Sequence, residues 1–147
     1  MTHLLRLALG TALLAAALPA TALPATAKAP SMPDPTELFH FEGTEPFWGG
    51  EVRGGSMKLD WPDNERGVRI QVVRRQVGRS IVYTGRLANH PHFLPRGSFT
   101  MTVIREKCSD GMSDRIFPFD VTIVAGSSRA VGCGWTARHP YREDPAG

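Results

Sequence analysis

Asp110, Ser113 and Asp114 bring three oxygen-bearing side chains close together in this 147-residue sequence, and Gly111 between them permits a tight bend. Hard oxygen donors on a bent loop are what calcium binds, yet an EF-hand-type loop alternates its ligands and ends in a bidentate glutamate, which this spacing lacks. The simpler structure is a turn capped by Asp and Ser side chains that orients Arg115. His90 and His92 flank Pro91 and could reach one metal only from an extended backbone, with no third ligand evident. Ser113, Asp114 and any histidine would make a triad on paper, but no G-x-S-x-G elbow presents a nucleophile. Neither a metal nor a cofactor is expected, and the chain reads as non-enzymatic.

Glu45 is a second candidate. It sits in Gly43-Thr44-Glu45-Pro46-Phe47-Trp48, directly before a proline-stiffened entry to a strand. A lone glutamate has no partner for acid–base work, so Glu45 and Trp48 are candidates for touching a ligand, or else Trp48 or Phe47 plugs a barrel end.

Charge is unevenly distributed. Between Glu65 and Glu106 stand Arg66, Arg69, Arg74, Arg75, Arg79, Arg86, Arg96 and Arg105, with no lysine and no acid. From Asp34 to Glu65 there are eight acids against only Arg53 and Lys58. Either the acidic strands neutralise the arginine-rich ones, or an anionic partner does.

The elements that must position these side chains are short and alternating, separated by glycine, proline and asparagine, with no heptads and no repeats. Strands are predicted at Phe47–Arg53, Ser56–Trp61, Val68–Val73, Ile81–Arg86, Phe99–Ile104, Phe117–Val124 and Arg129–Trp135. The pattern predicts an all-β fold, a small antiparallel up-and-down barrel or sandwich of about seven to eight strands. Closure is favoured because it removes exposed strand edges. Period-two alternation points Arg69 and Arg75 outward while Val68, Ile70 and Val72 pack inward, and Arg86 joins them if the next strand is in register.

The chain divides into a cleavable signal peptide over 1–27, a proline-rich linker over 28–37, the barrel domain over 38–138 and a polar, flexible tail over 139–147. His3 and Arg6 precede an apolar run from Leu7 to Ala17 that is too short to anchor stably in a bilayer, and small-x-small sites follow it. Cleavage is expected between Leu23 and Lys28. An even cysteine count in an exported chain favours one disulfide, Cys108–Cys133.

The G-T-E-P-F-W segment and Cys108-Ser109-Asp110-Gly111-Met112-Ser113-Asp114-Arg115, closed by Gly132-Cys133, resemble a family of small bacterial exported proteins and lipoproteins. Members of that family are sometimes joined to META (HslJ-like) or lysozyme-inhibitor-like β modules. The resemblance spans Phe41 to Cys133 and implies a β-rich envelope protein with a disulfide. This chain has no lipobox cysteine, which favours a soluble periplasmic or secreted protein.

The expected function is that of a periplasmic, non-enzymatic β-barrel binding module. Its partner is expected to be an anionic envelope component or an acidic protein patch rather than nucleic acid, with no stable membrane anchor after processing. Glu45, Trp48, Arg69, Arg75, Arg86, Asp110, Asp114 and Arg115 are the candidate contacts. The alternatives are an inhibitor of a secreted hydrolase and, in reserve, a hydrolase.

Overall fold

The computed structural model describes residues 31–88 and 91–144. The signal peptide, the start of the proline-rich segment, Asn89, His90 and the last three residues lie outside that range.

Eight antiparallel strands close into a barrel: β1 (Phe39–Thr44), β2 (Phe47–Arg53), β3 (Ser56–Trp61), β4 (Asn64–Val77), β5 (Ser80–Leu87), β6 (Gly97–Ile104), β9 (Phe119–Ala125) and β10 (Ser128–Trp135). Each pairs with the next in that order, and β10 returns to pair with β1, so the barrel is up-and-down throughout. Between β6 and β9 the chain leaves the wall to form β7 (Cys108–Ser109) and β8 (Arg115–Phe117), which join β11 (Arg142–Glu143) in a small outer sheet.

Alternation decides which side chains fill the interior. Met57 and Leu59 on β3, Ile70 and Val72 on β4, Ile81 and Tyr83 on β5, and Phe99, Met101 and Val103 on β6 are buried. Their neighbours one position away face out. The closing strand β1 was not read from the sequence because its pattern is carried by only Phe39 and Phe41, both 1% exposed, before Gly43 interrupts it. β4 begins at Asn64, four residues before the run of valines and isoleucine; a register shift between Leu59 and Trp61, with Gly67 at φ 70°, lets the extra length pair.

The predicted strand Phe117–Val124 is two elements. Pro118 separates β8 from β9, and Phe117 leaves the barrel to pack outside it with Cys108, Cys133, Trp135 and Tyr141. Cys133 points out of β10, and the Cys108–Cys133 bond (Cα–Cα 5.5 Å) pins the outer sheet over β10 and β1.

The described parts of the linker and the tail pack against the fold. Met32 packs on the core, Pro33 is buried and its carbonyl accepts a bond from Arg74 Nη2 at 2.9 Å, so the proline-rich segment covers one end of the barrel. Beyond His139, Tyr141 packs on Phe117 and Trp135, and Arg142 and Glu143 pair with Ile116 and Arg115. At the other end Leu94, 1% exposed, and Trp48 close the interior. The barrel is filled with side chains, and the depressions among the described residues open to the surface.

Adjacent glycines on β2 test this packing. A Cβ on Gly50 would collide with the Lys58 carbonyl oxygen and the Phe41 ring, whereas one on Gly49 meets the Phe41 carbonyl at 3.3 Å and the Asp60 carboxylate at 3.5 Å. Gly50→Ala is expected to cost about 3 kcal/mol in chemical denaturation and Gly49→Ala under about 1 kcal/mol. Equal losses would show that the rings do not rest on the wall as described.

Candidate functional site

The two sequence motifs meet. β1 and β2 form a hairpin in which Thr44 is opposite Phe47, with Glu45 and a cis-linked Pro46 at its tip. Thr44 Oγ1 donates to the Asp110 carbonyl at 3.0 Å, tying this hairpin to the outer sheet. Glu45 is exposed at the tip, while Trp48 turns inward, 3% exposed, with its ring against Phe41 and Phe93 and its indole over Gly43. Trp48, not Phe47, plugs the barrel end; Phe47 is 53% exposed.

Asp110 is used by its own loop. Its Oδ1 accepts the Met112 and Ser113 backbone N–H at 2.9 and 2.8 Å, and its Oδ2 accepts the Ser113 hydroxyl at 2.8 Å. Burial alone would raise this carboxyl, but those bonds, with Arg115 nearby, hold it below the ordinary aspartate value. Ser113 Oγ in turn accepts the Arg115 N–H at 3.3 Å. The guanidinium of Arg115 lies 4.5 Å from the centre of the Tyr141 ring, with Nε 4.0 Å from Glu143. The loop is a capped turn that orients Arg115. Asp114 is exposed and contributes its carbonyl to the Asp144 N–H. Among the described residues no group of three or more His, Cys, Asp or Glu is arranged to hold a metal. His92 lies 3.4 Å from Asp63.

Beside this junction a depression of about 480 Å³ is lined by Glu42, Asp60, Glu65 and Asp110 over Trp48. Phe47 and Trp61 continue it into a more apolar one with Pro62 and Phe93. Glu42 points out of β1 beneath the outer sheet, opposite Cys133. Desolvation there, reinforced by the charge of Asp110, raises its carboxyl above the ordinary glutamate value despite Arg115.

The arginines occupy a different face. Arg69, Arg75 and Arg86 are exposed on the outside of β4 and β5. Arg69 lies across from Lys58, Arg75 from Val82 and Arg86 from Ser98. Most acids of the first strands are engaged elsewhere. Asp60 pairs with Lys58 at 3.3 Å, Glu37 with Arg138 at 3.8 Å and Asp63 with His92, while Asp34 caps Thr36 and Glu42 lies under the outer sheet. Glu51 shares a shallow depression with Lys58 and Arg69. Among the described residues no carboxylate forms an ion pair with Arg69, Arg75 or Arg86. The structure therefore separates the candidates into Glu45, Trp48, Asp110, Asp114 and Arg115 around the motif junction, and the three arginines on β4–β5.

Sequence reasoning missed Phe47, Trp61, Phe93 and Met112 as exposed or half-buried neighbours of the junction, because each looked like core or loop. It also set aside Arg142 with the polar tail and gave Arg138, at the end of the domain, no role; the cue was Tyr141 between them, an aromatic that needs a packing partner. Comparison of the chain with protein-family models, curated proteins and solved structures finds no match.

Glu42 gives a pH signature. Because its folded value is raised, its stabilising contribution is complete below the ordinary value of 4.5 and is lost as pH rises through the folded value. Glu42→Gln is expected to raise the thermal midpoint at about pH 7, with the gain shrinking to nothing near pH 4, in unfolding scans across that range. A variant less stable than the parent at neutral pH would contradict this.

Proposed function

We propose that this protein is an exported, non-enzymatic binding module of the bacterial cell envelope that docks an anionic component through the outer face of β4 and β5. The observation that carries the reading is the absence of carboxylate partners for Arg69, Arg75 and Arg86 among the described residues, although eight acids precede them in the chain. Guanidinium forks bind carboxylate or phosphate with two parallel bonds, and three of them on a rigid sheet hold a fixed pattern. Val73, 57% exposed, lies between Arg69 and Arg75 on the same face and adds apolar contact. The filled interior supports recognition on the outside rather than ligand carriage within. The resemblance to small exported proteins and the apolar N-terminal run support a periplasmic location.

The test is binding to vesicles containing phosphatidylglycerol and to soluble acidic glycans, at low and high salt. Exposed contacts are screened beyond about 8 Å at physiological ionic strength, so high salt should weaken binding. Arg69→Ser with Arg75→Ser should lower affinity about tenfold and leave stability within about 0.5 kcal/mol, as for exposed positions. A double variant that loses stability and keeps its binding would refute the reading.

A further inference from the structure

A second cationic site lies where β4 meets β5 and β6 leaves the wall. Arg79 from the β4–β5 turn, Arg105 and Lys107 after β6, Arg138 after β10 and Arg142 on β11 surround one groove of about 420 Å³, with Glu106 as its only acid among the described lining residues. Three separated stretches of chain bring these charges together, so the grouping is a product of the tertiary fold. Gathering like charges is unfavourable unless something compensates them.

Part of that charge is engaged. Arg105 Nη1 donates to the Ser31 carbonyl at 2.9 Å with its guanidinium 5.3 Å from the centre of the Phe119 ring, and Arg138 Nε is 3.8 Å from Glu37. Arg79, Lys107 and Arg142 have no ion-pair partner among the described residues. The groove is not purely polar, since Ile116, Pro118 and Pro140 supply an apolar lining. His139, also on the lining, is held below its ordinary value by burial and then by Arg105 and Arg138, against the pull of Glu37, consistent with positive potential there.

We propose that this groove binds a soluble phosphorylated amphiphile: a diphosphate group held by Arg79, Lys107 and Arg142, with a short hydrocarbon against Ile116, Pro118 and Pro140. A diphosphate carries about three negative charges, matching the three unengaged cations, and offers oxygens in the pairs that guanidinium accepts. A single carboxylate would leave most of that charge uncompensated. The volume falls within the range of small-ligand sites, about 300–1,000 Å³. This site goes beyond the β4–β5 face and stands or falls separately from it.

The experiment is calorimetric titration of the whole protein with geranyl diphosphate and with inorganic pyrophosphate. Both should bind, the prenylated compound about tenfold more tightly because hydrocarbon is buried. Arg79→Ser with Arg142→Ser should weaken both by about tenfold or more, whereas Arg66→Ser with Arg96→Ser, both exposed and away from the groove, should leave both unchanged. In NMR titration the His139 imidazole should move up toward its ordinary value when pyrophosphate is bound. Failure of both compounds to bind, equal affinity for the two, or equal losses in the two double variants would overturn the proposal. Capture of the protein by anionic vesicles through Arg79 and Arg142, without binding of either soluble compound, would overturn it in favour of a membrane surface. Because Arg69 and Arg75 are tested apart, a negative result here leaves the β4–β5 reading intact, and the converse holds.

Discussion

Aromatic rings resting on glycines set the shape of everything else. Gly43, Gly50, Gly85 and Gly134 face the barrel interior, and the rings of Trp48, Phe41, Phe99 and Phe39 respectively occupy the space a Cβ would take. Each ring comes from a neighbouring strand, and three of the four lie directly across the ladder from their glycine. Small residues let the wall come close to the rings, and the rings supply the buried apolar area that a domain of this size needs. Glycine in a strand weakens the isolated ladder, so the arrangement holds only because the ring compensates. Phe39 also meets Phe119 edge-on at 5.6 Å, linking the first strand to β9 across the core.

A solid interior moves chemistry to the outside, and two decorations use that surface differently. The outer sheet lies flat on β10 and β1, held by the disulfide and by Phe117, Trp135 and Tyr141, with His40 stacked on Trp135 at 5.3 Å. It brings the Asp110 turn to the β1–β2 hairpin, and in doing so partly desolvates Glu42. The opposite wall carries no such cover, and its arginines remain in water. Acid and base are thus partly segregated by topology: Asp34, Glu37 and Asp60 are taken up by a local cap, Arg138 and Lys58, and among the described residues Arg69, Arg75 and Arg86 form no ion pair.

Much of the barrel could be read from alternation, since Phe99–Met101–Val103 or Met57–Leu59 admit one inward face. The register of the arginines followed from the same parity. What escaped were features set by long-range contact. The β1 strand has only two strong core residues, and its identity depends on β10, about ninety positions later. Phe117 shares the parity of Phe119 but Pro118 redirects it, and only the outer cluster explains its burial. The loop from Asp110 to Arg115 was legible as a capped turn because Asx bonding is local. Its docking on Thr44 was not, because nothing within either segment encodes the other. Arg138 and Arg142 became interesting only once β11 was seen to pair.

The seam between β1 and β10 joins residues near the two ends of the described chain, and every other barrel pairing except that of β6 with β9 joins strands consecutive in sequence. Growing from its N-terminus, the polypeptide can zip successive hairpins, yet it leaves two bare edges until β10 emerges. Closure therefore requires β10, and a chain lacking that strand has two unpaired barrel edges. A molecule built this way remains an open sheet until almost all of its chain is in place, and becomes a sealed body only then.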